Sequence, residues 1–131
     1  MYRVILMYGT EEPWWFLENW KKDIVCVEEF ENFTKALKYY KSQWLSMSQV
    51  YEKYKSQDDL LSAFWETKDQ VWCEECSDYQ QRYHSLALLE DWHELPDEKR
   101  RWAYCKSTAE QPEKRCQKKS DASAMSKDLT A

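Results

Sequence analysis

The sequence predicts an α+β domain: a small, mostly antiparallel sheet packed against one main amphipathic helix, with a disordered C-terminal tail. Short apolar runs at residues 2–8, 24–27 and 83–89 read as strands, because they are too brief and too continuous for helices. Between residues 30 and 54 large side chains recur at steps of three and four, which only a helix gathers onto one face. No aromatic residue follows Tyr104, so the last part of the chain has almost nothing to bury.

Tyr2 to Tyr8 is apolar, β-branched or aromatic nearly throughout and stops at Gly9, the only glycine of the chain. A run of this kind belongs to a strand covered on both faces, central in its sheet. Gly9 to Pro13 reads as a turn, and Trp14-Trp15-Phe16-Leu17 as a second strand. Lys21-Lys22-Asp23 is a polar break before a third strand, Ile24-Val25-Cys26-Val27. The three runs suit an antiparallel meander.

Phe30, Phe33, Leu37, Tyr40, Trp44, Met47, Tyr51 and Tyr54 form the helical stripe. Asn32 is the natural N-cap, since its short side chain can accept from the orphan N–H groups of the first turn. The helix is expected from residue 33 to residue 47 or beyond. Its bulky aromatics suit packing on a core better than a coiled-coil seam.

Leu60 to Trp65 and Gln70 to Cys73 suggest a hairpin around Glu66-Thr67-Lys68-Asp69, although Asp59 could instead cap a short helix over 60–65. Glu74 to Arg82 is polar and reads as one or two helical turns, and Tyr83 to Leu89 as the last strand. One compact domain over 1–104 and a flexible polar tail over 105–131 are expected.

Composition excludes several classes. Aromatic residues make up 16% of the chain, with eight Trp, and there are only one Gly and three Pro, which rules out collagen-like and Gly/Pro-rich disordered chains. One glycine also excludes a Gly-rich phosphate loop. The net charge is −5, distributed unevenly: residues 1–95 hold eighteen acidic and ten basic residues, residues 96–131 six and nine. An acidic body repels phosphate, so any nucleic-acid contact must use a local basic patch or the tail. The N-terminal apolar run leads into Gly9-Thr10-Glu11-Glu12-Pro13 rather than a cleavage site, and no segment approaches a membrane span. Five cysteines are an awkward count for a disulfide framework. The expectation is a cytosolic protein with reduced thiols and no membrane partner.

Cys73-Glu74-Glu75-Cys76 carries the sharpest chemistry. The pair has the spacing of half a tetrahedral zinc site, with His84, His93, Cys105 or Cys116 as conceivable partners, but no second close pair exists. As a redox pair it is opposed by Glu74 and Glu75, which disfavour a thiolate beside them. The weightier reading is two structural or surface thiols, with no cofactor and zinc as the alternative. Trp14, Trp15 and Trp20 form a second cluster, in which an exposed indole could stack on a partner. Lys35, Lys38 and Lys41 lie at helical spacing and form the main basic grouping of the body, with Lys21 and Lys22 upstream. Such a row is more often a solvated face than a phosphate contact. Neither His84 nor His93 has a Ser or Cys partner at a spacing that specifies a triad.

Met1-Tyr2-Arg3-Val4, Tyr8-Gly9, Glu12-Pro13-Trp14-Trp15-Phe16-Leu17-Glu18, Trp20 and Asp23-Ile24 together resemble the opening of a family of small bacterial proteins, a domain of unknown function. Ala36-Leu37-Lys38-Tyr39-Tyr40 with Trp44, Ala63-Phe64-Trp65, Cys73-Glu74-Glu75-Cys76 and Tyr83-His84-Ser85-Leu86 extend the resemblance over roughly residues 1–104. The chain departs from that family's pattern at Asn19 and near residue 92, where the family has glycines. Members are often labelled DNA-binding proteins, so the resemblance implies nucleic-acid binding and supplies no catalytic residues. The residues themselves point to a non-enzymatic binding or regulatory protein whose partner is another protein with a basic surface.

Overall fold

The computed structural model describes residues 1–16 and 18–108. A six-stranded antiparallel sheet carries one α-helix on one face, and a separate two-stranded hairpin stands beside it. In chain order the elements are β1 (Tyr2–Gly9), β2 (Ile24–Phe30), α1 (Phe33–Val50), β3 (Lys53–Ser56), β4 (Leu61–Trp65), β5 (Gln70–Cys73), β6 (Asp78–Gln81), β7 (Tyr83–Glu90) and β8 (Lys106–Ser107). The large sheet runs β2-β1-β7-β4-β3-β8, and β5 pairs only with β6. No helix among the described residues is long and apolar enough to cross a membrane.

The apolar run of β1 is central, as its composition demands. It pairs with β2 on one side and along its whole length with β7 on the other, from Tyr2↔Glu90 to Gly9↔Tyr83. Because side chains alternate along a strand, Val4, Leu86, Leu88 and Phe64 point to the helix. Ile5, Met7, Leu61, Ala87 and Leu89 point to the opposite face. The sheet therefore has two cores.

The helix face is the larger core. Asn32 Oδ1 accepts from the Lys35 N–H at 3.0 Å, the expected cap, and α1 buries Ala36, Tyr40, Trp44 and Met47. Trp44 meets Tyr54, Phe64 and Tyr104 edge-on at centroid distances of 5.1–5.8 Å. Its indole N–H lies within bonding distance of both Ser56 Oγ (3.2 Å) and Ser62 Oγ (3.1 Å). Ser62 also bonds the Tyr40 hydroxyl at 2.6 Å and Ser56 Oγ at 2.8 Å. This closed network satisfies four polar groups in the interior, which burial requires.

Several local expectations need correction. Residues 14–16 form a turn, not a strand. Phe16 takes a φ of 48°, off the extended backbone, and the rings of Trp14, Phe16 and Trp20 fold back as a cover on the second core. Leu61–Trp65 and Gln70–Cys73 are not partners; β4 pairs with β3 and β7. Residues 78–81 form β6 rather than a helical turn. Lys106–Ser107 pair with β3, just past the expected start of the flexible tail. The rest of that tail, from residue 109, lies outside the described residues.

Gly9 owes its place to a close approach rather than to its backbone angle. A Cβ there would come within 2.5 Å of Asp23 Oδ2, on the short 3₁₀ turn Trp20–Asp23 that leads into β2.

Candidate functional site

The second face of the sheet is covered by single rings instead of a helix, and it leaves a trough open. Phe16 and Trp20 meet edge to face at 5.1 Å, and Trp20 and Trp92 lie tilted at 6.2 Å. With Lys21, His93 and Glu94 they border a trough of about 630 Å³, within the range of ligand-sized clefts. A smaller cavity of about 20 Å³ shares Phe16 and Trp20 and reaches Trp15, Glu11 and Glu12. Two cations already lie over Trp92: Lys21 Nζ at 4.2 Å and the Arg3 guanidinium at 4.5 Å from the ring centroid. Arg3 also pairs with Glu29 Oε2 at 3.0 Å.

The sequence-predicted binding residues divide. Trp15 is 59% exposed, with its N–H held by Glu12 Oε1 at 3.3 Å, and Trp20 lines the trough. Trp14 packs on the same core, with Lys55 Nζ 5.4 Å over its ring. Lys35, Lys38 and Lys41 are exposed on α1, turned away from its buried face. The sheet thus stands between the lysine row and the tryptophans, and the two do not form one surface.

Cys73 and Cys76 do come together. Their sulfurs are 2.6 Å apart in the turn of the β5–β6 hairpin, and both are free thiols. No group of three or more potential metal ligands occurs among the described residues, so His84, His93 and Cys105 are not assembled there with the pair; Cys116 lies outside the described residues.

Residues 1–118 match the family described as Protein of unknown function (DUF1033). The chain belongs to the DUF1033 family. No curated protein and no solved structure matches it. The match takes in every element of the DUF1033 fold given above, from β1 to β8.

One cluster of this DUF1033 chain escaped the sequence analysis. His84 lies between the rings of Tyr8 and Tyr51, stacked on each at 4.4 Å. Asp69, at the base of the hairpin, takes the Tyr8 hydroxyl at 2.8 Å and Arg82 Nε and Nη2 at 2.9 and 2.8 Å. Burial works against ionisation of Asp69, but the Tyr8 and Arg82 bonds outweigh it and hold the carboxyl below its usual range. Burial lowers the His84 pKa and favours the neutral ring, with Asp69 opposing and Arg82 adding to the effect. Its Nε2 is 3.9 Å from Asp69 Oδ2, outside the reach of a general-base dyad. The cluster fastens the hairpin to the sheet. Its residues are far apart in sequence, so no spacing announces it.

Asp69→Ala is expected to free the hairpin, with early loss of amide-exchange protection in β5 and β6 and a cost of about 1–2 kcal/mol for the charged bonds removed. A lowered carboxyl pKa stabilises the fold above the ordinary value of 3.8 and ceases to do so as pH falls through the folded-state value. The variant should therefore differ from the parent at pH 7 and converge with it in acid, measured by hydrogen exchange and urea melts at both pH values.

Proposed function

We propose that this protein is a non-enzymatic binding protein that holds a basic segment of a partner protein on the tryptophan face of its sheet. The observation that carries this reading is the set of rings and carboxylates on this face of the sheet. Trp20, Trp92 and Glu94 line the trough with Lys21, and Trp15, Glu11 and Glu12 line the small cavity that shares Phe16 and Trp20 with it. Trp92 already carries Lys21 and Arg3 over its ring, so the exposed indole of Trp15 is the ring open to a partner's Lys or Arg. Exposed Trp15 beside Glu12 offers a ring and a carboxylate to one cation at once. The excess of eighteen acids over ten bases in residues 1–95 adds a field that draws such a partner in and repels phosphate.

A displayed peptide library supplies the test. Lys/Arg-rich peptides should be selected, and their binding should weaken with salt. Trp15→Ala, which leaves both cores intact, should weaken it about tenfold or more, the loss typical of an aromatic anchor. Replacing Lys35, Lys38 and Lys41 together by Glu should not weaken it, since the change only adds to the acidic field. Failure to select basic peptides, or retention of a DNA duplex that the triple lysine variant abolishes, overturns the reading.

A further inference from the structure

The hairpin β5–β6 is joined to the large sheet through its base, while its far end carries two thiols, Cys73 at the close of β5 and Cys76 in the turn. Ser77 takes a φ of 52°, the left-handed turn that lets the chain reverse into β6. The reversal brings the Cys76 N–H to Cys73 Sγ at 3.2 Å, and the Cys73 thiol donates to Cys76 Sγ at 2.6 Å. Gln80 Nε2 donates to Cys76 Sγ from 3.5 Å. Cys73 thus accepts the pair's one backbone N–H, and Cys76 accepts from Cys73 and Gln80. Cys76 is exposed and Cys73 partly so, which leaves the pair open to reagents.

The sulfur separation decides between two chemistries. Two thiolates on one tetrahedral zinc, with Zn–S of about 2.3 Å, stand about 3.8 Å apart. The 2.6 Å found here is much nearer to direct sulfur–sulfur bonding. Glu74 and Glu75 disfavour a thiolate beside them and so slow the chemistry, but the two sulfurs are brought together all the same, and we propose that Cys73 and Cys76 form a dithiol–disulfide exchange site whose substrate is a low-molecular-weight disulfide.

The exchange balances in two steps. Cys73 loses its proton to solvent and its thiolate attacks one sulfur of R–S–S–R; that bond breaks, a mixed disulfide forms on Cys73, and the leaving thiolate takes a proton from solvent. Cys76 then loses its proton to solvent and attacks the Cys73 sulfur, releasing the second thiolate, which is protonated in turn. Two cysteine thiols are oxidised by two electrons to one disulfide, and R–S–S–R is reduced to two R–SH. Because the second step is intramolecular, the mixed disulfide does not accumulate in the parent protein.

Cys26, a free and exposed thiol on β2, is a built-in control. The full chain is incubated with oxidised glutathione, and adducts and bridges are mapped by peptide mass. Cys73 and Cys76 should be lost as thiols together, their peptide two hydrogens lighter and free of glutathione, whereas Cys26 carries a glutathione adduct. Cys76→Ser should trap the adduct on Cys73, and excess reduced glutathione should reopen the parent bridge. Independent glutathione adducts on Cys73 and Cys76, or zinc at one equivalent by elemental analysis with both thiols shielded until chelation, overturn the proposal.

Discussion

Replacing Trp44 with alanine is expected to lower the unfolding free energy by about 3–5 kcal/mol, the cost of deleting a large aromatic from a packed core. The indole touches three other rings and spans α1, β3, β4 and the turn that carries Tyr104. No single neighbour can collapse into the space it leaves. Its loss also strips Ser56 and Ser62 of their N–H donor inside the protein. Trp44→Phe separates the two effects: the ring volume is largely kept, and the lost hydrogen bond should cost about 1–2 kcal/mol. Urea melts of the three proteins give the comparison. A cost for Trp44→Ala no larger than that of Trp44→Phe would show that the serine network, and not packing, dominates there.

Asp59 should make the protein less stable as pH rises from 4 to above 6. The residue is 7% exposed, and its Oδ1 has no hydrogen-bond partner. Arg100, the nearest compensating cation, directs Nη1 to Asp58 Oδ1 at 3.0 Å instead. Burial pushes the Asp59 carboxyl up to about 6, Arg100 opposes this, and Asp58 and Glu94 reinforce it. Between the ordinary value of 3.8 and about 6 the folded state binds more proton than the unfolded state, so stability falls with rising pH across that window and is level above it. The penalty is about 3 kcal/mol at most. Asp59→Asn removes it and should raise stability relative to the parent at pH 8, the gain shrinking to nothing or reversing at pH 4. Parallel melts at the two pH values decide the matter; an advantage independent of pH would mean that Asp59 does not titrate in the native state.

The elements that bury one clear pattern were legible from the residues. β1 and β7 are apolar runs because both faces of the sheet centre are covered, and α1 shows its stripe because only one of its faces is. The stripe also misled at its end: Tyr51 and Tyr54 continue the helical count, yet the helix ends at Val50 and Tyr54 reaches the same core from β3. Trp14 to Phe16 look like a strand because covering rings and strand rings have the same composition; only the backbone turn tells them apart. Asp78 to Gln81 looked helical because a two-stranded hairpin with little to bury has no apolar face to advertise. Of the trough, Trp20 was visible in a cluster with Trp14 and Trp15, whereas Trp92 arrives from beyond β7 and required the sheet order.

That order has a consequence for how the protein is made. β2 follows β1 closely in the chain, but the other flank of β1 is filled by β7, residues 83–90. On the ribosome a nascent chain therefore carries a greasy strand with one flank open until nearly all of the sheet has been translated, and the pairing that closes it is the most distant in the sheet. Synthesis rate and chaperone supply, more than the final energy of the native state, then set how much of this polypeptide reaches its fold without sticking to its neighbours.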